Sequence, residues 1–365
     1  MTVHKLSLKT LSPLHIGDGD ELKQDFDFVT HGNLTYRINE DALLMAKESL
    51  LRRDERTGRY PVPGKLLTEA DFDDVSLFRY VLRGTPRSAK TDARVRSFIK
   101  DVYDHPYIPG SSLKGALRTA LAWNGWKEIK PSLTDIGTRK AWAGQGIEHK
   151  LFGANPNLDL MRAVHVSDLF GPQKAGGNLL LVNAQVLTKK SSGSPVELEA
   201  IQGDVSFTGS LTIDDALFSL LAEPVLHFAN RKHWLDEMMK RTQAHSLARI
   251  RELVEWFERA DHTEAIARFY RQLAAASLPD NQALVQIGWG AGWDAKTFWT
   301  HLQTDPLRFE RLITDFRLHK AGRNSPPRKS GDAFPRSKRA VMMIKNGIPQ
   351  AIAPFGWVLM EISTE

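Results

Sequence analysis

The segment Tyr107-Ile108-Pro109-Gly110-Ser111-Ser112-Leu113-Lys114-Gly115-Ala116-Leu117-Arg118 dictates a sharp break followed at once by a helix. Pro109 lacks an N–H and Gly110 lacks a Cβ, so neither prolongs the element before it. Ser111 or Ser112 is then placed as an N-cap. Leu113, Leu117 and Leu121 recur at i, i+4 and i+8 as a core stripe, and Lys114 and Arg118 form a basic stripe at the same spacing. The chain is thereby committed to a helix that packs by one face and keeps a basic face over. Unpaired N–H groups and the helix dipole favour an anion at such a start. Pro109–Arg118 therefore reads either as a phosphate cradle or as a capped helix packed by Gly115. It is not a Walker A loop, because Ala116 stands where that loop needs lysine.

Elsewhere the apolar period switches between two and three-to-four. Val3–Leu11 alternates and reads as a strand. Gly17-Asp18-Gly19-Asp20 reads as a tight loop. Phe26 and Phe28, then Leu34, Tyr36 and Ile38, read as a hairpin about His31-Gly32-Asn33. Asp41 is placed to cap one helix. Thr91 is placed to cap another, with Val95, Phe98, Ile99 and Val102 on one face and Arg94, Arg96 and Lys100 elsewhere. Ala163–Asp168, Leu179–Leu187 and Asp204–Ile213 read as strands, Asp214–Ala276 as mostly helical, and Gly356–Ile362 as a closing strand; another helix starts from Asp294. The interleaving predicts an α+β fold. A βαββαβ unit of the ferredoxin or RNA-recognition type fits residues 1–215, with an insertion at 40–105 and strands Val3–Leu11, Ala163–Asp168, Leu179–Leu187 and Asp204–Ile213. Residues 216–365 form a second, helical part with C-terminal α/β elements.

The chain's 365 residues suit about two domains. It has no cysteine, which excludes disulfides, Cys-type zinc sites and thiol nucleophiles and fits a reducing cytoplasm. No apolar run is long enough to span a membrane, and the N-terminal residues lack an h-region, so a cytoplasmic protein is expected. The twelve histidines are scattered without H-x-x-x-H spacing, and acidic pairs such as Asp73-Asp74 are adjacent in sequence; no metal or cofactor is expected.

Charge is gathered rather than spread. The formal net charge is +6, yet Arg311–Arg339 alone carries nine Lys or Arg against two Asp. A second run, Arg79–Lys100, has seven basic residues against Asp92. Such patches point to a polyanion. The segment 317–339, rich in Gly, Pro and Ser, reads as a mobile electrostatic arm whose Arg323, Arg328, Lys329, Arg336, Lys338 and Arg339 meet phosphate. Gly288-Trp289-Gly290-Ala291-Gly292-Trp293 (loop 287–293) cannot be a good helix or strand. Its glycines expose N–H groups, its tryptophans offer stacking faces, and Lys296 follows. A core tryptophan pair on a glycine turn is the plainer alternative. Ser12-Pro13-Leu14-His15-Ile16-Gly17-Asp18-Gly19 follows the first strand, and His15 is a structural residue, an RNA contact or a general base.

In this order, the segments Leu11–Gly19, Ile108–Arg118 and Gly288–Trp293 resemble the RAMP superfamily of CRISPR proteins, and more narrowly the fifth Csm subunit of type III-A effector complexes. Glu199–Phe207 resembles the strand after a protruding thumb hairpin in these proteins, which makes 186–198 the thumb and Lys189 and Lys190 its basic residues. The resemblance implies a modified RNA-recognition fold that binds CRISPR RNA (crRNA) near the guide's 3′ portion. It implies contact with the neighbouring backbone RAMP subunit and the small helical subunit, target RNA nearby, host nucleases as a further partner class, and a non-catalytic role in guide maturation. The residues carried over as RNA-binding are His15, Gly17, Gly19, Gly110, Ser111, Ser112, Lys114, Gly115, Arg118, Lys189, Lys190, Gly288, Trp289, Gly290, Gly292, Trp293, Lys296 and the six basic residues of the arm. The rival reading is a metal-independent RAMP endoribonuclease that processes precursor crRNA with His15 as base.

Overall fold

A computed structural model describes the chain except residues 88–92, 138, 189–192, 194, 319–327, 333 and 365. The fold is α+β, built on two sheets. In the first, Thr2–Thr10 lies between Ser206–Ile213 and Trp357–Thr364, antiparallel to both. Gln282–Gln286 flanks the last strand, and the short strands Val164–Val166, Leu169–Phe170 and Tyr107–Ile108 extend the other side. The second sheet runs in the order Gly17–Lys23, Arg94–Phe98, Val196–Ile201, Leu179–Leu187, Phe78–Arg83, Leu34–Ile38, Phe28–His31. The hairpin of Lys338–Lys345 and Ile348–Ala353 joins it along Ala184–Leu187. Strands from both sides of residue 215 thus share each sheet.

The helix Gly110–Ile129 packs on the first sheet by the stripe the sequence predicts. Leu113, Leu117 and Leu121 are 0% exposed and share a core with Leu6, Leu8, Val164, Leu211 and Met360. Each such leucine contributes about 1.5–3 kcal/mol on burial. Met238–Glu258 and Glu264–Ala275 cover another core with Leu284 and Trp357, while Ala283 and Val285 join the long-helix core. Gln282–Gln286 is therefore buried on both faces.

Four expectations are corrected. Leu179–Leu187 belongs to the second sheet, so it is not a neighbour of Thr2–Thr10. Arg94–Phe98 is a strand, because Val95 and Ser97 alternate inward against Arg94 and Arg96; a helical spacing through Val95, Phe98 and Ile99 conceals that period of two. Gly17–Asp20 begins a strand with a bulge between Gly17 and Glu21 instead of forming a tight loop. The helix expected at Asp41 starts one residue earlier, at Glu40, with Asn39 as its cap.

The helix start is corrected too. Pro109 is the N-cap, so Ser111 and Ser112 lie within the first turn. The anion there is the chain's own: Asp168 Oδ1 accepts the Gly110 N–H at 2.8 Å. A Cβ on Gly110 would lie 2.2 Å from the Val166 carbonyl oxygen, so glycine is needed for the helix to approach its neighbouring strand. Gly115 is exposed, and a Cβ there would meet nothing within 4 Å, so it packs nothing.

The second sheet is pinned by a buried carboxylate. Glu199, 0% exposed, accepts from Lys100 Nζ at 2.6 Å, the Tyr80 hydroxyl at 2.8 Å and the Phe98 N–H at 2.9 Å. Burial and the Glu199 charge push the Tyr80 phenol far up, which keeps it a donor.

Two stability predictions follow from these contacts. Gly110→Ala should cost about 1–3 kcal/mol through backbone overlap, whereas Gly115→Ala should gain up to about 1 kcal/mol from helix propensity; equal effects in urea melts would refute the assignment. Lys100→Ala should cost about 3 kcal/mol by stranding the buried Glu199 charge, and Glu199→Gln in the same chain should recover much of it. A double-mutant cycle with no coupling would count against the pair.

Candidate nucleic-acid interface

The loop that leaves the first strand crosses to the second sheet, and nearly every backbone group along it is bound by a different element. Leu11 N–H donates to the Trp357 carbonyl at 2.8 Å, and the Trp357 N–H donates to Ser12 Oγ at 3.0 Å. Leu14 exchanges two hydrogen bonds with Ile201, at 2.9 and 2.8 Å. The Pro13 carbonyl accepts from Gly356, and the His15 carbonyl accepts from Trp289 at 2.8 Å. Ile99 N–H donates to Ile16 at 2.8 Å. The first and third sequence motifs are thus one structure. A Cβ on Gly288, at φ 75°, would lie 2.5 Å from the His15 carbonyl oxygen. That glycine serves contact between loops of this chain, so the expectation that the loop's N–H groups stand open to a ligand is corrected at Trp289, whose N–H is taken.

Trp289 is half-buried and stands edge-on to His15 and Phe355, at ring-centroid distances of 6.2 and 5.3 Å. Two guanidinium groups lie over it, Arg339 at 4.7 Å and Arg96 at 5.8 Å. Neither has a carboxylate in ion-pair range among the described residues. Arg339 is exposed to solvent, and partial desolvation with the nearby Arg96 charge lowers its pKa from the ordinary arginine value. His15 lies at the base, 2% exposed, with Nδ1 2.6 Å from the Glu199 carbonyl oxygen. Burial lowers its pKa from the ordinary histidine value. Gly17 adjoins the ring, and Gly19, at φ 105°, lies in the same strand facing open space.

Several other cations are committed. Arg79 is held by Asp104 through two bonds of 2.7 Å, and Arg94 lies 3.2 Å from Glu21. Arg118 pairs with Glu148 at 3.0 Å and Asp159 at 2.8 Å, and packs on Phe152. Lys114 is half-buried, and burial lowers its pKa. With Asp168 at the helix start, the expected phosphate cradle at Pro109–Arg118 is occupied by protein carboxylates at both ends.

The arm is corrected likewise. Arg328 is held by Glu310 through two bonds of 2.7 Å, and Lys338 pairs with the nearly buried Asp294 at 2.6 Å. Lys338–Lys345 is a strand, so the basic segment ends in a sheet. Lys329 and Arg336 are exposed. Arg323, Lys189 and Lys190 lie outside the described residues.

The two tryptophans of the glycine loop part company. Gly290 and Gly292 carry the turn at φ 88° and 89°, and Trp293 packs on Phe334 with centroids 5.0 Å apart. Lys296 is exposed in a turn, where a helix was expected. Arg118, Trp293 and Lys296 line a cavity of about 320 Å³ with Lys140, Phe298 and Phe309, and Trp289 is not among its lining residues. Arg96 escaped the sequence reading as a site residue. Its signal was there, as the polar partner in the Arg94-Val95-Arg96-Ser97 alternation within a basic run.

The family model for the RAMP superfamily matches residues 7–293, a span holding all three motifs. A Streptococcus thermophilus protein described as "CRISPR system Cms protein Csm5" is 35% identical over 239 residues, 58% of this chain and 65% of that protein, so under two thirds of its length is matched. A Methanocaldococcus jannaschii protein of the same description is 22% identical over 98% of this chain and 88% of its own. Among solved structures, one from a Csm-crRNA-target RNA ternary complex of a type III-A CRISPR-Cas system superposes with a TM-score of 0.75 at 22% identity, covering 98% of this chain and 100% of that one. T. onnurineus Csm5 gives 0.65 at 20% identity, covering 96% and 99%. These likenesses place the two-sheet fold among RAMP proteins with additional C-terminal elements. With the crossing loop, the long-helix start and the glycine-tryptophan loop all inside the matched span, the chain belongs to the RAMP superfamily.

Proposed function

We propose that this protein is a Csm5-type subunit of a type III-A CRISPR effector complex, and that it binds crRNA at the Trp289 surface without cutting it. The observation that carries the reading is the pair Arg96 and Arg339 over Trp289, two cations without carboxylate partners among the described residues. Guanidinium groups on an aromatic face suit a polyanion with planar bases. The relatives named Csm5 and the fold shared with a chain of a Csm-crRNA-target RNA complex support the assembly. The same reading puts the guide's 3′ portion here, the backbone RAMP subunit and the small helical subunit alongside, target RNA nearby, host nucleases as visitors during guide trimming, and the cytoplasm as the setting.

The non-catalytic role is supported by how the nearby acid–base groups are held. His15 is enclosed by Phe98 and Trp289, and Lys100 is locked onto Glu199. A general base and its acid must both reach the reacting phosphodiester. Lys100, held by Glu199 at 2.6 Å, is not posed to act as that acid.

Two measurements test this. Arg96→Gln with Arg339→Gln should reduce the slope of log affinity against log salt by about 0.7 for each phosphate no longer neutralised, as for single strands; an unchanged slope would place the RNA elsewhere. Highly purified chain should leave repeat RNA intact. A discrete, chelator-resistant cut that His15→Ala abolishes would establish the endoribonuclease reading instead.

A further inference from the structure

The His15 ring is held in one tautomer. The Glu199 carbonyl oxygen, 2.6 Å from Nδ1, can only accept, so Nδ1 carries the proton. The ring is 2% exposed, edge-on to Phe98 and Trp289, and burial keeps it neutral at pH 7. Nε2 is left with a lone pair and no hydrogen-bond partner among the described residues. It faces the backbone of Gly17, where a Cβ would lie 3.1 Å away. Arg339 and Arg96 stand over the adjoining Trp289.

These neighbours ask for different atoms. A guanidinium takes a phosphate oxygen. A neutral imidazole lone pair repels that oxygen and takes a donor. In a polynucleotide strand, a hydroxyl donor beside every phosphate is the 2′-hydroxyl of RNA, which DNA lacks. We propose that His15 Nε2 accepts a hydrogen bond from a ribose 2′-hydroxyl and makes this surface select RNA over DNA, with Gly17 keeping the approach to Nε2 open. This rests on the RNA-binding reading above. It asks of His15 only an acceptor, with no proton removed and no bond broken. A larger residue at 17 would close the approach while leaving the Nδ1 contact intact.

The test measures binding of the full chain to an RNA, the DNA of the same sequence, and the 2′-O-methylated RNA, which keeps the phosphates but loses the donor. The wild-type chain should prefer RNA to both. In His15→Phe and Gly17→Ala, the RNA-to-DNA affinity ratio should fall about 3–10-fold, the worth of one neutral hydrogen bond. Thermal melts identify folded variants; should His15→Phe unfold, Gly17→Ala and the 2′-O-methyl comparison decide. An unchanged ratio in a folded variant, or wild-type binding of methylated and unmethylated RNA alike, overturns the proposal. Wild-type binding of RNA and DNA alike also overturns it and leaves the RNA-binding reading standing. Binding of neither overturns both.

Discussion

Between the two sheets the chain crosses a gap along Leu11–Gly17, and there neither sheet alone supplies hydrogen-bond partners. Each buried polar group left unmet would cost about 1–3 kcal/mol. The partners come from Ile99, Ile201, Trp289, Gly356 and Trp357, five positions drawn from four distant stretches of sequence. Arg96 reaches Trp289 because its strand lies beside Val196–Ile201, and Arg339 reaches it because its strand lies beside Leu179–Leu187. The cationic surface is a by-product of satisfying that crossing, so its geometry is as firm as the crossing itself.

The parts of this arrangement that were legible in the sequence are those whose cause is local. The leucine stripe of Gly110–Ile129 is visible because a helix repeats its core face every three to four residues, and the first strand because alternation needs only its own side chains. Arg94–Phe98 was misread because Val95, Phe98 and Ile99 satisfy a helical spacing by accident, and only the neighbouring strands decide between the two periods. Gly110 and Gly288 announce that a Cβ is intolerable without saying what stands against it. In both cases it is a carbonyl of this chain, Val166 or His15.

Charge is the property that sequence reading handled least well. A run of lysines and arginines shows its cations, while the carboxylates that claim them are scattered: Asp159 and Glu148 around the long helix, Glu310 and Asp294 near the basic segment. Once these are assigned, Arg118, Arg328 and Lys338 hold the protein together, and the Trp289 surface is left with Arg96 and Arg339. Glu199 fits the same pattern from the other side, as a buried acid whose only sequence signal was a resemblance to a strand after a hairpin.

The side-by-side placement of Thr2–Thr10 and Trp357–Thr364 bears on how the protein is born. Ser12 and Trp357, which share a hydrogen bond, are 345 residues apart. Contacts of such sequence separation form late and slowly. During synthesis the first strand leaves the ribosome with one long edge unclaimed, exposed to chaperones or to other nascent chains until its partner arrives. A translation product that stops before Lys338 lacks both that partner and Arg339. Its first strand would keep that edge open.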